Sequence, residues 1–131
     1  MTTLCPCGSK TSYNSCCEPI ISGKKPAATA EKLMRSRYTA FTQANVDYLM
    51  RSWHSETRNL EEKNEIAQWA KDVIWLKLEI EQVEAGLEND TQGTVTFKAY
   101  FEESKSIYKI HEKSIFYKEN GLWVYHSGTH Y

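Results

Sequence analysis

All four cysteines of this chain, Cys5, Cys7, Cys16 and Cys17, fall within its first 17 residues, and the remaining 114 of its 131 residues contain none. A segment that short cannot build a core of its own, so its sulfurs must hold it in shape. Three chemistries compete for them. A disulfide pair is disfavoured, because adjacent Cys16 and Cys17 could bridge only through a strained ring and no basic region with an apolar run marks the chain for secretion. A redox centre would more naturally show Cys-x-x-Cys beside a strand and helix, whereas these cysteines sit among Gly, Ser, Pro and Asn. A metal site is favoured, since four thiolates complete a tetrahedron and leave no open ligand position, which reads as structural rather than catalytic. Pro6, Gly8 and Ser9 suit a tight turn after the first pair, and Lys10 can offset surplus charge. Zinc is the expected ion, although four thiolates also suit iron.

The length suits one domain with a small appendage, and 40% hydrophobic with 25% charged residues suits a folded globule. No apolar stretch approaches the about 20 residues needed to span a bilayer, so no membrane segment is expected and a reducing cytoplasm is the expected location. The net charge is −1, which argues against a dedicated or sequence-specific nucleic-acid binder. That mean conceals an asymmetry. Residues 1–37 carry six Lys/Arg against Glu18 and Glu31, a net of +4, and the remainder carries −5. Four thiolates and one divalent ion would add about −2 to the front, which stays mildly basic.

The string CPCGSKTSYNSCC, Cys-x-Cys followed after eight residues by two adjacent cysteines, resembles the SEC-C zinc motif known from the tail of the SecA translocation ATPase. The resemblance implies Cys5, Cys7, Cys16 and Cys17 as zinc ligands. The following segment, CCEPIISGKKPAATAEKLMRSRYTAFTQANVDYLMRSWH, is similar to the YchJ family of small bacterial proteins, as are WLKLEI at 75–80, VTFKAYF at 95–101, HEKSIF at 111–116 and GLWVYHSG at 121–128. This similarity implies a SEC-C motif at 1–22 and a domain of the nuclear transport factor 2-like superfamily at 27–131. That fold is a curved antiparallel sheet closed into a cone by N-terminal helices. Some family members carry a second cysteine motif near the C-terminus, and none is expected after HSGTHY. The family has no firmly assigned activity, so the resemblance sharpens the fold more than the function.

The residues themselves give a compatible outline. Residues 18–28, with Pro19, Gly23 and Pro26, read as a connector. Thr29 is placed to cap a helix over 30–42, whose Ala30, Leu33, Met34, Arg37, Tyr38 and Phe41 form one stripe. Asn45 caps a short helix over 46–53, and a third helix is expected over 60–71. From Val73 the period falls to two. Ile74, Leu76, Leu78 and Ile80 alternate with Trp75, Lys77, Glu79 and Glu81, and Val95, Phe97, Ala99 and Phe101 make a second strand. Strands over 107–117 and 122–126 follow, the last after the hairpin-forming Asn120-Gly121. Helices followed by a strand meander give α+β.

Two functional readings follow. The first is a zinc-binding cytoplasmic interaction module in which the cysteine clip, Lys10, Lys24 and Lys25 form a surface for a protein or ribosomal partner, as related SEC-C motifs imply. The second is a small-molecule binder or enzyme using a pocket of Arg37, Tyr38, Trp53, Glu112 and Trp123. The Arg37 guanidinium is expected either at a cavity or in a pair with a carboxylate such as Glu112, the pair being favoured because Arg is rarely buried without a partner. Arg35, turned well away from that stripe, reads as a solvated or docking residue. His111 and Glu112 must face opposite sides of their strand, so they cannot form a direct acid–base pair. His126 and His130 carry no ligand assignment. A deep cavity with Glu112 unpaired by Arg37 would favour the second reading, and a filled interior the first.

Overall fold

The computed structural model describes residues 3–131; Met1 and Thr2, which belong to the expected 1–22 motif, lie outside the described residues. Among the described residues, four helices and four strands follow one another: α1 (Cys17–Ile21), α2 (Ala30–Thr42), α3 (Val46–Arg51), α4 (Lys63–Asp72), β1 (Ile74–Ala85), β2 (Gln92–Glu103), β3 (Ser106–Glu119) and β4 (Leu122–His130). Short 3-10 turns at Tyr13–Ser15 and Leu60–Glu62 precede α1 and α4. Helix α1 occupies part of what the sequence reads as connector; Pro19 fits there because it falls in the first turn, where its missing N–H costs nothing.

The caps fall where the side chains dictate. Thr29 Oγ1 accepts from Lys32 N at 3.1 Å, and Asn45 Oδ1 accepts from Tyr48 N at 3.2 Å. The apolar stripe of α2 then crosses the sheet, where Leu33, Met34 and Tyr38 meet Leu78, Val95, Phe97, Ala99, Phe116 and Trp123. The opposite face is polar. Tyr100 donates to Glu79, Lys98 and His111 approach Glu81, and Lys113 approaches Glu84. A sheet with one packed and one solvated face is the natural outcome of two-residue alternation in antiparallel strands.

The expectation of a cone is corrected. The sheet is an antiparallel meander in the order β1-β2-β3-β4, and among the described residues β1 and β4 do not pair, so it is neither closed nor strongly curled. Four strands are too few to wrap around an interior, and β4 pairs with only the second half of β3, from Glu112 to Glu119. The α+β class and the antiparallel sheet packed by helices stand; the closed cone does not.

Register departs from simple alternation at three places. In β1 the pairing shifts between Trp75 and Lys77 and again between Ile80 and Gln82, and in β3 it shifts against β4 between Ile115 and Phe116. The first bulge turns Trp75 inward and leaves Ile74 and Leu76 exposed, contrary to the face expected from alternation. Trp75 completes an aromatic cluster with Tyr38, Phe41, Trp69 and Phe101.

Candidate functional site

Two sites lie against α2, one on each side. On the first, the chain doubles back from Cys5 to Cys17. Cys5 N donates to Thr11 O at 2.8 Å and Tyr13 N to Thr3 O at 2.9 Å, closing a small loop. Gly8, at φ +82°, makes the turn after the first cysteine pair, a conformation that side chains resist. Cys16 stands between the 3-10 turn and α1, and its irregular backbone lets two adjacent cysteines aim at one point.

The four Sγ atoms lie within 4.8 Å of one another, with Cys7 to Cys16 at 3.6 Å and Cys16 to Cys17 at 3.9 Å. A tetrahedron with metal–sulfur bonds of about 2.3 Å has edges of about 3.8 Å, whereas a disulfide needs about 2.05 Å. All four cysteines are free. The donor set and spacing therefore fit a cluster that could coordinate a metal ion. Ser9 Oγ lies 3.1 Å from Cys16 Sγ and Thr39 Oγ1 lies 3.7 Å from Cys5 Sγ, so hydroxyls from the loop and α2 support the sulfurs. The Cys17 thiol lowers the Cys7 thiol by hydrogen bonding to it, against the opposing effect of burial. The same bond, with burial, pushes Cys17 up. Crowded sulfurs thus share protons until a cation makes four thiolates compatible.

The loop is not a free appendage. Cys5, Cys7 and Cys17 share a buried cluster with Ile20, Ile21, Ala40, Tyr48 and Leu49. Arg35 Nη1 donates to Cys7 O at 2.7 Å, and its Nε donates to Glu31 at 2.9 Å. Arg35, read from the sequence as a solvated or docking residue, is a clamp between α2 and the cysteine loop. Lys10, Lys24 and Lys25 are exposed, and Lys24 pairs with Glu18 at 2.9 Å. Lys25 also borders a hollow beside Cys16, together with Lys32 and Arg35.

On the other side, a cavity of about 310 Å³ opens between the helices and the inner face of the sheet. Arg37, Tyr38 and Phe41 of α2, Trp53, Ile66 of α4, and Trp75, Phe97, Glu112, Ser114 and Tyr125 of the sheet line it. Trp123 is in the core and borders a separate hollow with Ile20, Leu33 and Arg51. The expected Arg37–Glu112 ion pair is absent among the described residues. Arg37 Nη1 donates to Leu49 O at 2.8 Å and to Ser52 Oγ at 2.7 Å, and its guanidinium lies 4.9 Å from the centre of the Tyr125 ring. Glu112, 7% exposed, accepts from Ser114 Oγ at 2.5 Å and Tyr125 OH at 3.2 Å, and faces His130 Nε2 at 3.3 Å. The Tyr125 ring thus touches both, with its face toward Arg37 and its hydroxyl toward Glu112. Burial pushes Tyr125 up to about 12, with the Glu112 charge adding to the shift, and lowers Arg37 to about 10.

Ser114 and Gly128 are the residues that admit Glu112. A Cβ on Gly128 would stand 2.1 Å from Glu112 Oε2, so only glycine leaves room across the strand pair. His111 faces the opposite side, beside Glu81, as strand parity requires. His54, Glu56 and His126, which the sequence does not bring together, converge within 4.8 Å, with His126 Nε2 at 3.1 Å from Glu56.

Fold and sites together define a small α+β protein with an N-terminal cysteine cluster able to hold a metal and a cavity between helices and sheet. Residues 29–128 match the family described as "YchJ, middle NTF2-like domain", and the chain belongs to this YchJ family, a bacterial group also designated UPF0225. It is 42% identical over 129 residues to a UPF0225 protein of Vibrio parahaemolyticus, covering 98% of this chain and 76% of that one. A UPF0225 protein of Geobacter sulfurreducens is 38% identical, with 98% and 80% covered. Among solved structures, a SEC-C motif containing protein from Rhodopseudomonas palustris superposes with a TM-score of 0.87 at 31% identity, covering 97% and 98% of the two chains. Another from Psychrobacter arcticus gives 0.81 at 28% identity, covering 95% and 81%.

Proposed function

We propose that this is a zinc-stabilised, cytoplasmic small-molecule-binding protein: Cys5, Cys7, Cys16 and Cys17 hold a structural zinc, and the cavity beneath α2 takes a small, mainly apolar ligand. The observation that carries this reading is the cavity itself, about 310 Å³ with Arg37 and Glu112 on its wall and not bonded to each other. A filled interior with those two charges neutralising each other would be a core and nothing more. The volume is at the small end of the range for ligand sites, and aromatic walls with a few converging polar groups are the usual composition. Four thiolates favour zinc in a closed tetrahedral site. In a reducing cytoplasm the thiols remain available to a metal. No helix is long and apolar enough to cross a membrane among the described residues.

The test is a fragment screen by amide NMR on anaerobically purified protein, with elemental analysis of the same sample. One zinc per chain is expected, together with hits that shift Trp53, Trp75 and Tyr125. Hits confined to other surfaces would end the pocket reading, and absence of stoichiometric metal would end the zinc assignment.

A second reading, docking on a protein or ribosomal partner, draws support from Lys25, Lys32 and Arg35 around the hollow beside Cys16, with Lys10 and Lys24 exposed nearby. Replacing Lys10, Lys24 and Lys25 together by Glu should abolish capture of any such partner. Unchanged capture would remove these lysines from the docking surface.

A further inference from the structure

We propose that the cavity selects a monocarboxylic acid with an aromatic or branched hydrocarbon body, and that Arg37 receives its carboxylate. The proposal rests on the pocket reading above and adds the ligand's class.

Arg37 is 7% exposed and lies on the cavity wall. A buried cation without a counter-ion is among the most expensive arrangements a fold can hold. Among the described residues no carboxylate stands within ion-pair distance of it, and its hydrogen-bond acceptors, Leu49 O and Ser52 Oγ, are both neutral. These bonds lie at the C-terminal end of α3, whose carbonyl dipoles offset part of the charge. The Tyr125 ring, and the Glu112 charge beyond it, offset a little more without making an ion pair. Burial lowers Arg37 only to about 10, so it is still a full cation at neutral pH.

Both protein bonds use Nη1. The Nε–Nη2 edge therefore has no protein acceptor among the described residues, and two parallel N–H groups of that kind match the two oxygens of a carboxylate. Glu112 does not compete for this role. Its Oε2 is taken by Ser114 and Tyr125, and its Oε1 faces His130. Its negative charge on the same wall instead restricts the ligand, since a second acid group would meet it. The rest of the lining, including Tyr38, Phe41, Trp53 and Trp75, offers ring surface for a hydrocarbon body. A single acid on a compact apolar frame fits both the charge and the volume.

The test compares acid and amide pairs of the same shape on the intact, metal-loaded protein: phenylacetate against phenylacetamide, and indole-3-acetate against indole-3-acetamide, by calorimetry with NMR mapping to Trp53 and Trp75. Each acid should bind at least tenfold more tightly than its amide. The preference should vanish in Arg37→Gln and persist in Arg37→Lys. Because the comparison is made first on the unsubstituted chain, it does not depend on any variant folding. Acids and amides bound equally in the cavity would overturn the carboxylate assignment and leave the pocket reading standing. If neither member of either pair bound there at millimolar concentration while the fragment screen gave cavity hits of another class, the assignment alone would fall. With no cavity hits of any class, both would fall.

Discussion

Helix α2 separates two sites that are held together in opposite ways. Its Arg35, Thr39 and Ala40 meet the cysteine loop, and its Arg37, Tyr38 and Phe41 line the cavity. The cysteine site draws four like groups from 13 consecutive residues, a stretch whose own hydrogen bonds are few and whose sulfurs share protons because four thiolates would repel one another. The cavity draws unlike groups from α2, α4 and all four strands, and the packing of those elements fixes their positions. The cysteine site is thus a local arrangement that an added ion would complete, whereas the cavity depends on topology.

The largest expected effect separates the two directly. Removing metal with a strong chelator, or replacing Cys16 and Cys17 together by Ser, should free the amides of residues 3–22 to exchange and lower Tm by on the order of 10 °C. The fall extends beyond the loop because Cys5, Cys7 and Cys17 pack with Ala40, Tyr48 and Leu49. The sheet should keep its amide dispersion, and cavity ligands should still bind. Simultaneous loss of loop and sheet would erase the distinction between the sites.

A smaller effect should fall on the cavity alone. In Gly128→Ala the new methyl would stand 2.1 Å from Glu112 Oε2, forcing the carboxylate away from Ser114 and Tyr125. Overpacking of this kind costs about 1–3 kcal/mol. The same substitution in a Glu112→Ala background should cost close to nothing, which denaturant melts of the four chains in a mutant cycle would measure. Metal content should not change. An equal cost in both backgrounds would mean that Gly128 is needed by the backbone and not by Glu112.

The same contrast explains what was legible in the sequence. The cysteine cluster could be read from spacing because its members are near neighbours in the chain. The helix starts at Thr29 and Asn45 could be read because a cap is a local bond. The cavity was only half legible. Strand parity places Glu112 inward, but the Asn120-Gly121 hairpin, with Glu119 opposite Leu122, extrapolates to Glu112 opposite Thr129. A bulge beside Phe116 moves the partner by one, to His130, and brings Gly128 opposite Ser114. Another bulge turns Trp75 inward in place of Leu76. Neither has a local sequence mark. The cone expectation failed for a similar reason: whether two edge strands meet is decided by curvature summed over the whole sheet, not by any one strand's pattern. The Arg37–Glu112 pair failed because Tyr125, far away in sequence, lies against both.

The smallest expected effect concerns a contact that joins the cysteine loop to α2 through charge. Arg35 reaches from α2 to Cys7 O, with Glu31 one turn earlier holding its Nε. The bond is partly exposed, so its contribution to stability should be about 1 kcal/mol or less in Arg35→Met, near the resolution of a melt. Its kinetic consequence should be clearer. Release of a bound metal would require the loop to lift its sulfurs, and a guanidinium on the Cys7 carbonyl, close enough to the Cys7 side chain to feel its charge, resists that motion. In metal-loaded protein, Arg35→Met should therefore release the ion to a chromogenic chelator several-fold faster, with faster exchange confined to residues near Cys7, while metal content at equilibrium and binding in the cavity stay as they were. An unchanged release rate would mean that the loop is held by sulfur and apolar packing alone, and the two sides of α2 would then differ even more sharply than their geometry implies.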